Sequence, residues 1–115
     1  MNDVVGVKVL LNLYGGFMGY RPGEALSRAA AFEMPLYDRG VGRGVVSLLD
    51  LVFEQLNVDD PDAAWAVDYR NRGHRSLSVG DVVVVGEQAW ACEPAGWKPV
   101  AVEASQVWYD VGFTR

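Results

Sequence analysis

The sequence predicts an α+β domain: a small antiparallel sheet with a C-terminal β-meander, packed against one main amphipathic helix at about 45–57. Three observations predict it. Val45, Leu48, Leu49, Val52, Phe53 and Leu56 recur at helical spacing, with Asp50, Glu54, Gln55 and Asn57 on the other side. Short apolar runs separated by hairpin-length turns fill Val82 to Glu103. Thirteen glycines in 115 residues favour a sheet with tight turns over a helical bundle.

The elements follow in order. Val4 to Tyr14 reads as a half-buried strand, because Val5, Val7, Val9 and Leu11 share one parity while Lys8 and Asn12 take the other. Gly15 to Gly23 is a loop. Ser27 to Tyr37 reads as a strand, with a short helix as the competing assignment: Leu26, Ala30, Phe32, Met34 and Leu36 alternate, yet Arg28 breaks the apolar parity. Pro35 then demands an edge position or a bulge, since it donates no N–H to a ladder. Arg39 to Gly44 is a glycine hinge, Gly44 caps the main helix and Asn57 ends it. Asp60 and Pro61 suit the cap and first position of a second, short helix running to about Tyr69. Arg70 to Arg75 is a loop. The meander comprises Val82–Val85, Gln88–Glu93 and Trp97–Glu103, and Trp90 and Trp97 are expected beneath the helix. The tail, Ser105 to Arg115, is apolar enough to dock on the body as a strand or a short helix.

At this length the chain is one domain, 1–115, able to bury a core without staples. No apolar run reaches the ~20 residues of a membrane span, so no membrane insertion is expected. The N-terminus lacks the pattern of a signal peptide. One cysteine allows no internal disulfide, which favours a reducing cytoplasm. A net charge of −5 counts against generic nucleic-acid binding.

Few residues invite a chemical reading. Cys92 and His74 are the one thiol and the one imidazole, but Cys92 lies in a strand at the parity of Trp90, and no third residue orients His74. A cysteine-dependent enzyme is the weakest reading, and no catalytic residue is assigned. One Cys and one His leave a zinc tetrahedron unfilled, and Asp59, Asp60 and Asp62 lack the calcium-loop pattern, so neither metal nor cofactor is expected. Gly40, Gly42 and Gly44 match no phosphate-binding fingerprint. Glu93 and Glu103 have nothing to bring them together. The first candidate for a binding surface is Tyr69, Arg70, Arg72, His74 and Arg75, since loop arginines grip phosphates or carboxylates bidentately. Against it stand Asp59, Asp60, Asp62 and Asp68, close enough to pair with these arginines. Trp108 and Tyr109 form a second candidate surface.

The arginine loop runs into Ser76-Leu77-Ser78-Val79-Gly80-Asp81-Val82-Val83, followed by a hairpin with Gly96-Trp97. This order resembles the YodL-like domain family of bacteria, phages and plasmids, over roughly Val46 to Val100. The resemblance divides the chain into a strand-rich part at 1–45, the YodL-like part at 46–103 and a docked tail at 104–115. It implies a non-enzymatic accessory module and attaches no catalytic residue. Ser76, Ser78, Gly80 and Asp81 read as a structural corner. The expectation is a small cytoplasmic phage or mobile-element protein that inhibits or adapts a bacterial host protein, with self-association left open. The alternative is a nucleic-acid accessory module using the arginine loop.

Overall fold

The computed structural model of the protein describes residues 4–13, 19–35 and 44–109. Among these residues six strands form one sheet: β1 (Val4–Asn12), β2 (Leu26–Pro35), β3 (Val82–Val85), β4 (Gln88–Glu93), β5 (Gly96–Val100) and β6 (Val107–Tyr109). Their spatial order is β5-β4-β3-β1-β2-β6. Two helices, α1 (Gly44–Asn57) and α2 (Ala64–Asn71), lie between β2 and β3 in the chain.

This corrects the expected fold class. The domain is not a small antiparallel sheet on one main helix. It is a mixed six-stranded sheet curled into a half-barrel, with two short helices. Every neighbouring pair is antiparallel except β2 with β6, which is parallel. β1 runs down the middle, paired with β2 on one side and β3 on the other. Its four buried apolar residues Val7, Val9, Leu10 and Leu11 explain the choice, because a central strand buries both faces.

The parity conflict in β2 has a specific cause. The register against β1 slips after Val9, so that Ala30 faces Val9 but Arg28 faces Leu10. Ala29 is the extra residue of a β-bulge. Phe32 and Met34 therefore pack toward the helices, whereas Leu26, of the same parity, packs on the opposite face. Pro35 ends the strand. The Gly6 carbonyl accepts from the Gly86 N–H, so Gly6 and Val4 turn their backbone groups toward β3. Pro35 pairs with Val4 at a position whose backbone groups point away from β1, where a missing N–H breaks no bond of this ladder.

The two faces are covered differently. Leu48, Leu49, Val52 and Leu56 of α1 and Ala66 and Tyr69 of α2 pack on Val7, Val9, Leu11, Ala29 and Met34. Trp65 of α2 stacks on Phe32 at 4.5 Å, and Trp97 meets Phe53 edge-on at 6.3 Å. The other face holds a smaller core of Leu10, Tyr20, Leu26, Val82, Ala89 and Ala91. Over it passes the chain from β5 to β6, containing one 3-10 turn at Ala104–Gln106. On a flat sheet these two edges, five strand spacings apart, would stand about 24 Å from each other. Three extended residues and one 3-10 turn reach only about 18 Å. The connection fits because the sheet curls, and it is tied down on the way. Gln106 Nε2 donates to Tyr20 Oη at 2.7 Å and to the Glu24 carbonyl at 2.8 Å, while Tyr20 Oη donates to the Ala101 carbonyl at 3.3 Å.

Several described boundaries differ from the sequence reading. The second helix begins at Ala64, not Pro61, because Gln55 Oε1 accepts from the N–H groups of Asp62 and Ala63 and holds that stretch extended. The last meander strand stops at Val100, where the crossing begins. The strand expected to reach Tyr37 is described to Pro35; Arg39 to Arg43 of the expected hinge and the tail beyond Tyr109 lie outside the described residues.

Candidate functional site

The Ser-Leu-Ser-Val-Gly-Asp corner is the most densely bonded part of the molecule that the sequence singled out. The Asp81 N–H donates to the Ser78 carbonyl at 3.0 Å, closing a four-residue turn. Gly80, third in that turn, has φ +95°, the conformation a type II turn requires there. The turn is pinned to β4 by Gly80 N to Cys92 O at 2.9 Å and Cys92 N to Asp81 O at 2.8 Å. Leu77 and Asn57 exchange two bonds: Leu77 N to Asn57 Oδ1 at 2.8 Å and Asn57 Nδ2 to Leu77 O at 3.0 Å. The residue that ends α1 thus anchors the corner's first half.

Asp81 is fully buried. Its carboxylate accepts four hydrogen bonds. Oδ1 takes Asn12 N at 2.7 Å and Arg75 Nη2 at 2.8 Å; Oδ2 takes Arg75 Nη1 at 2.8 Å and Ser78 N at 2.8 Å. Burying a carboxylate is costly unless it is paired and every acceptor site is used, and both conditions are met. The same guanidinium reaches the Asn12 carbonyl at 3.2 Å and the Ser76 carbonyl at 3.0 Å. The bond to Asp81 holds the Arg75 pKa above its ordinary value. Tyr69 Oη donates to the Arg75 carbonyl at 2.6 Å, and burial raises the pKa of that phenol.

The other arginines of the loop serve separate ends. Arg70 donates to the Val58 and Asp59 carbonyls and closes the turn after α1. Arg72 pairs with Asp68 at 3.0 Å, one helical turn back, with both side chains about 60% exposed at 60% and 63%. His74 lies against the Tyr69 ring at 4.9 Å. Of the five residues in the first candidate surface, Tyr69 is buried, Arg70 and Arg75 bond to the body, with the Arg75 side chain still 44% exposed, and Arg72 extends into solvent beside Asp68.

Strand pairing brings the second candidate surface to the same end of the sheet. Asn12, which receives Arg75, pairs with Leu26; Leu11 pairs with Ser27, and Ser27 with Trp108. Two strand spacings, about 10 Å, separate β1 from β6 there. Trp108 is 63% exposed and Leu13, next after Asn12, is 53% exposed. Trp108 is opposite Ser27, on the face that α1 and α2 cover elsewhere. Tyr109 contributes backbone pairing to Arg28. The tail docks as a strand, one of the two forms its apolar composition allowed, and its parallel pairing with β2 is what the sequence does not indicate.

Cys92 is buried, and desolvation, with Asp81 and Glu93 adding to it, pushes its thiol up to about 11. An activated nucleophile needs the opposite shift. Among the described residues no three His, Cys, Asp or Glu side chains group as metal ligands, and no helix is long and apolar enough to cross a membrane.

No family model, no curated protein and no solved structure matches this chain.

Proposed function

We propose that this chain is a small non-enzymatic protein-binding module, carried by a phage or other mobile element, that inhibits or adapts a bacterial host protein. The observation that carries the reading is Trp108, 63% exposed on the short last strand, with exposed Leu13 and the Arg72–Arg75 loop at the same end of the sheet. Tryptophan and arginine are the residue types on which protein interfaces most often depend. The raised thiol of Cys92 speaks for binding over catalysis. The resemblance of the corner to YodL-like domains supplies the mobile-element setting. Nucleic-acid binding draws less support, because Arg70 and Arg75 already bond within the domain and the net charge is −5.

Partner capture from bacterial lysate with the wild-type chain and with Trp108→Ala tests this. The expected result is one saturable partner whose affinity falls at least about tenfold in the variant. Capture of the same partner at equal affinity by Trp108→Ala would remove the assigned surface, and no saturable partner at any salt concentration would remove the reading.

A further inference from the structure

The face of the sheet away from the helices is incompletely covered. Between the β5–β6 crossing and the strands beneath it lies an open groove of about 520 Å³, within the range of small-ligand sites. Its floor and far wall are apolar: Leu10, Val84, Ala89, Val102 and Val107. Small side chains keep it open, since Ala89 lies on the floor and Ala101 and Ala104 line the crossing.

Lys8 stands at the mouth. It occupies the middle of the central strand, opposite Ala31 on one side and Val84 on the other, yet its side chain is exposed because the groove opens there. Two carboxylates, Glu87 and Glu103, and a second cation, Arg28, also border the groove. Arg28 has a partner of its own, whereas no carboxylate among the described residues lies within ion-pair distance of Lys8.

We propose that this groove binds an amphiphilic monocarboxylate, its apolar tail under the β5–β6 crossing and its carboxylate on the Lys8 ammonium. The apolar floor gains by covering a hydrocarbon tail. The Lys8 ammonium, with no carboxylate of its own among the described residues, offers the ligand's carboxylate a counter-charge. Selectivity follows from the apolar lining: the second carboxylate of a dicarboxylate would have to be buried on the floor of Leu10, Val84, Ala89, Val102 and Val107, so one charge is accepted and two are refused. The site lies on the opposite face from Trp108 and does not depend on the partner surface assigned there.

The test is a titration of the full chain, followed by amide NMR, with decanoate below its aggregation threshold, with decanol, and with sebacate, the dicarboxylate of the same chain length. Decanoate is expected to give saturable shifts at Lys8, Val84, Ala89 and Val102, with decanol and sebacate about tenfold weaker. Lys8→Met is expected to bring decanoate down to the affinity of decanol and to leave decanol unchanged. Lys8 is exposed, so the variant keeps the fold, and its unliganded spectrum verifies this. Equal affinities for decanoate and decanol, unchanged decanoate binding in Lys8→Met, or no saturable shift in the groove would each overturn the proposal. So would occupation of the groove by an extended apolar peptide that decanoate fails to displace.

Discussion

Arg75 and Arg72 stand three positions apart in one loop and do opposite things. Arg75 reaches inward to a carboxylate with no solvent exposure and ties together β1, the corner and the end of the loop. Arg72 reaches back along its own helix to Asp68, where water screens both charges. The lesson is that a dense run of arginines does not measure the positive charge a surface offers. What separates the two is the partner's burial. A buried acid makes its arginine part of the fold, and an exposed acid leaves its arginine available to something else.

The largest way to break this contrast is Arg75→Met. It leaves Asp81 buried without its counter-ion, and the expected loss is about 3–5 kcal/mol in urea unfolding. A loss under about 1 kcal/mol would place Arg75 with Arg72 as a surface charge. Tyr69→Phe removes the bond to the Arg75 carbonyl and should cost about 1 kcal/mol by the same measurement. Cys92, whose N–H and carbonyl hold the corner, sharpens the contrast by pH. Its folded pKa of about 11 lies above the ordinary thiol value near 9, so its contribution is complete below pH 9 and is lost as pH rises toward 11. The wild type should therefore lose more stability than Cys92→Ala across that window. At pH 8 its alkylation by iodoacetamide should be far slower than in the urea-unfolded chain. The smallest effect belongs to Arg72→Ala, expected within about 0.5 kcal/mol of wild type.

Much of this was legible locally. The 3.6-residue period marked α1, and the Gly86-Glu87 and Pro94-Ala95 turns marked the meander, because helices and hairpins close over short sequence distances. Pro35 marked a position where the ladder has no donor, and it pairs with Val4 where none is needed. What stayed hidden required partners far away in sequence. Val9-Leu10-Leu11 marks a strand that is apolar on both faces, but nothing near it names β2 and β3 as its neighbours, and nothing near Val107 says that it joins β2 in parallel. Arg28 did signal trouble in β2, but one off-parity residue does not distinguish a bulge from a helix. The arginine loop was the instructive miss. Asp68 was among the acids weighed as partners, and it holds Arg72. Arg75 instead takes Asp81, a residue that the sequence alone marks only as part of the corner. A carboxylate at the head of a Val-Val-Val-Val strand is a signal that could have been used, since it must be buried and therefore needs a cation.

The crossing from β5 to β6 also bears on time. Gln106 meets Glu24 across 82 positions, and the last strand seals an edge formed by one of the first. Closing so long a loop is entropically slow, and folds dominated by such distant pairings assemble over milliseconds to seconds. Until Val107 arrives, β2 is an unfinished edge and the smaller core beneath it is open to solvent. A nascent chain halted before that point would hold helices and hairpin yet lack its latch. That interval is when the protein is most vulnerable to proteases and to pairing with its neighbours.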